Sequence, residues 1–252
     1  IEATPPADQV PMNDDLVEAV DPRDEYVAEA VKLASGDEAA LADLRIVLTA
    51  MHGVGASMTA RVLAEAGFAN VSLVAAQAEP DPDFPTVPFP NPEEVGALDM
   101  AIEQARAEGA DLIIAVDPDA DRCALAVPDP GAEAGWSPLS GDQIGCLLGE
   151  FLAARGLEGS LANSIVSSRL LARIAEAHGL VHHTTLTGFK WIARAPKLAF
   201  GYEEAIGFCP NPEIARDKDG IASSVVAASL FAALKVEGRT AWDELDRLAH
   251  AH

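Results

Sequence analysis

From Leu44 onward, short apolar runs alternate with segments of helical period, and this alternation restricts the fold more than any other feature of the chain. An apolar run over 45–50 precedes a Gly-containing turn over 52–55, a helical segment to about residue 66 and a second run over 71–75. Strand, turn and helix in that order build a layered sheet. A helical segment over 92–108, a run over 110–116 and a run over 123–127 extend the same sheet. A Gly/Pro-rich turn over 129–138 follows, and Ser140-Gly-Asp has the form of a helix N-terminus that opens a helix over 143–154. A second alternation then begins, with strands over 162–166, Val181–Thr185 and 197–201 and helices over 170–178 and 220–234. The expected fold is therefore α/β: two consecutive three-layer α/β domains with mixed sheets, over 44–157 and 158–252. Residues 1–43 read as a Pro-rich lead-in, 1–13, and a helix over 24–33. The last residues, 243–252, read as a helix without Gly or Pro to close it.

With 49% hydrophobic residues, the 252-residue chain is apolar enough to bury cores of ordinary proportions. Its 40 acidic and 17 basic side chains give a formal charge of −23, so its average field repels nucleic acid and anionic lipid. Neither is expected as a partner, and an anionic ligand must be held by local cations or a metal. Cys123, Cys146 and Cys209 are odd in number, far apart and set among apolar neighbours. They read as reduced core residues, which favours a cytoplasmic location. The sequence shows no basic-then-apolar leader and no apolar run of the roughly 20 residues that cross a bilayer.

Proline recurs at 80, 82, 85, 88, 90 and 92, so the loop over 79–92 cannot donate a regular backbone ladder and must be held by its side chains. Because helix and strand resume at once, the loop reads as functional rather than as a linker. The sharpest chemical signal is Asp117-Pro-Asp-Ala-Asp-Arg122, directly after an apolar run. Carboxylates at every second position of an extended loop point the same way, and a hard cation makes that arrangement tolerable. Without one, they repel one another and raise their own pKa values. An EF-hand is excluded, since Arg122 and Pro128 stand where it needs Gly and Glu. A phosphatase that attacks phosphate with Asp117 remains a competing reading of the same loop.

Six segments together resemble the α-D-phosphohexomutase family, the phosphoglucomutases and phosphomannomutases. They are Thr49-Ala-Met-His-Gly-Val-Gly55, Pro80-Asp-Pro-Asp-Phe-Pro-Thr86, the loop from Asp117 to Arg122, Thr187-Gly-Phe-Lys-Trp191, Gly201-Tyr-Glu-Glu-Ala-Ile-Gly207 and Asp217-Lys-Asp-Gly220. The resemblance implies a four-domain enzyme of which this chain holds the second, metal-bearing domain and the third, sugar-reading one. A phosphoserine and a phosphate clamp belong to the family's flanking domains, and neither pattern is found in this sequence. The lead-in resembles the tail of the first domain, so truncation is expected, and no mutase turnover by the chain alone.

The resemblance also implies roles for individual residues. Asp117, Asp119 and Asp121 would ligate Mg2+, and Arg122 would steady the phosphate. Lys218 would stand near the transferred phosphoryl group as a proton donor or counter-charge. Glu203 and Glu204 would accept hydrogen bonds from the hydroxyls of a hexose phosphate, while Thr187, Gly188, Lys190 and Asp219 would shape the same site. His52 sits in a Gly-flanked turn whose backbone amides could meet an anion. Ala205 replaces a serine common in the family, which removes a hydroxyl contact. Trp191 reads as core, and His178, His182, His183, His250 and His252 as incidental. Two other readings stand beside the mutase: the Asp117 phosphatase and a short non-catalytic module that binds sugar phosphates.

Overall fold

The computed structural model describes residues 5–252; the first four residues of the expected lead-in lie outside the described residues. Helices α1 (Arg23–Val31) and α2 (Glu38–Asp43) precede a sheet built from β1 (Arg45–Thr49), β2 (Asn70–Leu73), β3 (Leu112–Val116), β4 (Cys123–Pro128) and β5 (Trp136–Pro138). Its order is β2-β1-β3-β4-β5. Strand β1 pairs in parallel with β2 and β3, whereas β3, β4 and β5 are antiparallel. The crossovers through α3 (Ala56–Glu65) and α4 (Asp99–Glu108) run in opposite directions over the sheet, so right-handed connections put the two helices on opposite faces. Strand β3 is buried along its whole length because both its faces are covered, which is why it reads as an uninterrupted apolar run.

The second sheet, in the order β7-β6-β8-β9, is also mixed. It comprises β6 (Ser160–Ser164), β7 (Val181–Thr185), β8 (Leu198–Glu203) and β9 (Gly207–Cys209), with α5 (Gly141–Ala153), α6 (Leu170–Ala177), α7 (Phe189–Ile192), α8 (Gly220–Val236) and α9 (Ala241–Ala251) around it. The expected α/β class with two mixed sheets is what the chain adopts. A full capping box at Ser140 opens α5, since Ser140 accepts from the Gln143 amide while Gln143 accepts from the Ser140 amide.

Three segments depart from the sequence reading. Helix α4 starts at Asp99 because residues 91–98 fold into successive tight turns, with Asn91 Oδ1 accepting from the Glu93 amide. The 129–138 turn contains β5, a three-residue edge strand whose closing Pro138 hid it. Strand β6 begins two residues early and ends before Ile165 and Val166, which are exposed. It is polar yet buried, because Ser160 donates to the Pro196 carbonyl and Asn163 to the Ser168 carbonyl.

The two sheets share helices. Helix α5 packs on β8 and α6, although the sequence places it before residue 157. Helix α8, from the second half of the chain, packs on α2, α3, β3 and β4 as well as β9. One apolar cluster therefore runs from Ile46 and Ile114 through Leu148 and Val225 to Phe200 and Phe208. A smaller cluster of Ala162, Phe189, Ile192, Leu198 and Cys209 fastens α7 to the second sheet. All three cysteines are buried and free. Among the described residues no single helix is long and apolar enough to cross a membrane.

Candidate metal centre

The chain leaves β3 at Val116 and turns at once through the acidic loop. The Ala120 amide donates to the Asp117 carbonyl at 2.9 Å, and Ala120 itself takes a left-handed φ of 59°. Two outside amides clamp the turn: Val54 donates to the Pro118 carbonyl and Gly220 to the Ala120 carbonyl. Held this way, Asp117, Asp119 and Asp121 each offer a carboxylate oxygen within 4.8 Å of the others. Among the described residues they are the only such cluster. Burial, followed by the charges of Asp121 and Asp119, pushes the Asp117 carboxyl up to about 6, against the pull of the Arg122 amide on its Oδ1. An all-oxygen set that repels itself fits a hard divalent cation such as Mg2+.

Arg122 is paired with the loop by charge but not by a hydrogen bond from Nε. Its Nε lies 3.7 Å from Asp117 Oδ2 and 3.8 Å from Asp121 Oδ1, too far for hydrogen bonds, and is buried without a partner. Lys218 Nζ approaches Asp121 Oδ2 to 2.8 Å and Asp217 Oδ1 to 3.6 Å. Burial works against its charge, yet Asp121, Asp217 and Glu203 together hold its ammonium above the ordinary lysine range.

The β8–β9 hairpin lies against the acidic loop: the Cys123 amide donates to the Ile206 carbonyl, and Arg122 bridges Gly207. This contact brings the two expected sites together. Within the hairpin the two glutamates differ. Glu204 Oε2 receives Ser164 Oγ at 2.9 Å and Ser167 Oγ at 2.8 Å, and these hydroxyls stand 2.8 Å apart. Two protons serve three short contacts, so both hydroxyls are committed to this cluster. Burial would raise the Glu204 carboxyl, but its own amide, Ser167 and Ser164 outweigh it and hold the group below the usual range. Glu203 is half-buried and without such partners; burial pushes it up, with Lys218 and Arg122 opposing. Sequence reasoning gave both glutamates one task and missed Ser164. The signal was present in hydroxyls three apart at the end of a buried polar strand. Asp142 was missed too, although its Oδ1 ties the Ser168 amide and the Tyr202 hydroxyl together at 2.6 and 2.8 Å.

The remaining residues divide. Thr187 and Lys190 are exposed beside Gly188, which precedes α7. Trp191 is 39% exposed rather than core, with the Arg194 guanidinium 5.4 Å and Lys190 Nζ 5.8 Å from its ring, because α7 buries Phe189 and Ile192 instead. Asp219 is buried as the N-cap of α8. It accepts from the Ala222 amide and from Tyr26 of α1, so its carboxylate holds a helix start rather than facing the acidic loop. At His52 the expected amide cradle is narrowed, since the amides of His52, Gly53 and Val54 already donate to the carbonyls of Gln77, Ala50 and Pro118. Its ring instead meets Thr86 Oγ1 at 2.9 Å, and Gln77, itself bonded to Thr49, donates to the same oxygen. This network ties the proline loop to the sheet. The loop's Phe84 and Phe89 wall a pocket of about 630 Å3 whose floor includes His52, Asp117, Asp119 and Arg122. His178 and His182 bond to Glu150 and Asn163. Among the described residues, five of the six non-glycine residues with positive φ, Met51, His52, Phe84, Ala120 and Ile206, belong to these loops, a concentration of strain usual at functional sites.

Comparison with known proteins gives a family for this fold. The family described as phosphoglucomutase/phosphomannomutase, alpha/beta/alpha domain II, matches residues 24–131, and its domain III matches residues 140–250. A Haemophilus influenzae protein named "Probable phosphomannomutase" is 46% identical over 239 residues, covering 94% of this chain and 47% of the relative. A Saccharomyces cerevisiae phosphoribomutase is 38% identical over 213 residues, covering 76% of this chain and 34% of its own length. The chain thus spans half or less of the curated relatives it matches. Among solved structures, a Burkholderia thailandensis phosphoglucomutase/phosphomannomutase family protein superposes with a TM-score of 0.74 at 20% identity, over 92% of this chain and 47% of that one. An Aspergillus fumigatus N-acetylphosphoglucosamine mutase in complex with GlcNAc-6P and magnesium gives 0.56 at 15% identity, over 88% and 52%. At these identities the structural likeness is one of fold alone. Two adjoining family matches that together cover most of the sequence show that this chain belongs to the phosphoglucomutase/phosphomannomutase family, as its alpha/beta/alpha domains II and III.

Proposed function

We propose that the chain is the metal- and sugar-binding part of a phosphohexomutase that interconverts hexose 1-phosphate and hexose 6-phosphate through a bisphosphate intermediate. The observation that carries the reading is the convergence of three aspartates within 4.8 Å beside an Arg122 whose Nε has no partner. Asp117, Asp119 and Asp121 would hold Mg2+, which when bound supplies positive charge to the oxygens of a phosphoryl group in transfer. Arg122, with its planar fork of donors, orients that phosphate. Lys218 offers a cation or a proton on the hairpin side. Glu203 would accept from sugar hydroxyls, while Glu204 steadies the hairpin through Ser164 and Ser167. The phosphoserine and the phosphate clamp would come from segments outside this chain.

Magnesium titration by calorimetry tests the reading. Saturable binding is expected for the chain and not for a variant with all three aspartates changed to asparagine; equal affinity in both would sink it. In a coupled assay containing a hexose 1,6-bisphosphate, the chain alone is expected to give no mutase turnover, and measurable turnover would overturn the division of labour. Release of inorganic phosphate from a generic phosphoester, lost on Asp117→Asn, would favour the phosphatase instead.

A further inference from the structure

Lys218 is held at a crossing point. The amide of the next residue, Asp219, donates to the Phe208 carbonyl at 2.8 Å, and that of Gly220 donates to the Ala120 carbonyl at 3.0 Å. These bonds fix the lysine backbone between the hairpin and the acidic loop. The aliphatic stem then passes over Gly207 so closely that a Cβ at that position would stand 2.5 Å from Lys218 Cδ. Beyond Gly207 the ammonium reaches Asp121 Oδ2 at 2.8 Å, with the Phe189 ring centroid 5.7 Å away and the side chain only 16% exposed. A tethered cation is thereby delivered to one of the three clustered carboxylates, past a glycine whose Cβ would crowd both the lysine stem and the Glu203 side chain, 3.0 Å away.

We infer that Lys218 is a built-in counter-cation that competes with the divalent metal for Asp121 and so sets how tightly the metal binds. The inference rests on the acidic loop being a metal centre, as proposed above. A metal on either oxygen of the Asp121 carboxylate stands close to the ammonium at Oδ2, and the two cations repel each other. Metal binding therefore weakens the hold of Asp121 on the ammonium and favours its other anionic neighbours, Asp217 and Glu203. By linkage, a ligand that draws the ammonium away tightens the metal by the same factor by which the metal tightens that ligand.

Calorimetric titration of the chain with Mg2+ decides it. Lys218→Met, which keeps the stem and removes the charge, is expected to bind Mg2+ roughly fivefold more tightly, the size of a partly screened charge contact. Lys218→Arg keeps the charge and is expected to stay near the unmodified chain. Gly207→Ala keeps the lysine but obstructs its path, and is expected to shift affinity in the same direction as Lys218→Met. Unchanged or weaker binding in both Lys218→Met and Gly207→Ala, with the unmodified chain binding normally, overturns the inference and leaves the metal centre standing. No binding by any variant, the unmodified chain included, overturns the metal reading and the inference with it.

Discussion

At Asp117, burial and the charges of Asp121 and Asp119 act against the Arg122 amide and guanidinium, and the carboxyl rises from 3.8 to about 6. The folded-state pKa lies above the unfolded one, so the folded chain keeps a proton that the unfolded chain releases. The contribution of Asp117 to stability accordingly falls as pH rises from about 4 to about 6 and stays at the lower level above that window. In the presence of a chelator, Asp117→Asn keeps an acceptor for the Arg122 amide and removes the penalty. Its melting midpoint at pH 7.5 should exceed that of the unmodified chain, by about 2–4 °C for each kcal/mol recovered, and the difference should vanish below pH 4. Saturating Mg2+ should reverse the order. A lower midpoint for the variant in chelator would contradict this account. The sequence displays three aspartates at alternate positions but not which one is buried, because the clamps come from Val54 and Gly220. For the same reason it could not separate Glu203 from Glu204, whose difference lies in Ser164 and Ser167, about 40 residues upstream.

Helix α8 is apolar on all sides because it lies between layers, touching α2, α3, β3, β4 and β9. Its N-terminus does two jobs. Asp219 caps the helix, and Gly220 sits so near the acidic loop that a Cβ would stand 2.3 Å from the Arg122 carbonyl oxygen and 2.7 Å from that of Ala120. Both opposing atoms are backbone, so the loop itself must move. Gly220→Ala should cost about 1–3 kcal/mol in chemical denaturation, as overpacking does, and weaken Mg2+ binding as well. Normal stability and normal metal affinity in this variant would refute the coupling. The helix start was legible from the Asp-Gly pair at 219 and 220; the surface it meets, about 100 residues away along the chain, was not. Short elements such as β9, α2 and α7 escaped notice because three to six residues carry too little periodicity to register.

Across the whole molecule, α5 and α8 carry side chains of both halves into one apolar cluster. The two sheets should therefore unfold together. Scanning calorimetry of the chain should show one transition with calorimetric and van't Hoff enthalpies in agreement, whereas two resolved transitions would mean that the shared helices contribute little. The alternation of apolar runs and helical segments settled by itself the α/β class and the place of the acidic loop at a strand's end, because strand and helix periods are local properties of neighbouring residues. Charge spacing likewise marked the three aspartates. Tertiary structure alone decided that Trp191 faces solvent, that the turn amides of His52 to Val54 are already bonded, that Tyr26 of α1 donates to Asp219 and that Lys218 reaches Asp121. Each of these depends on which distant segment arrives beside the residue, and burial, hydrogen-bond partners and charge neighbours exist only after the chain has brought those segments together.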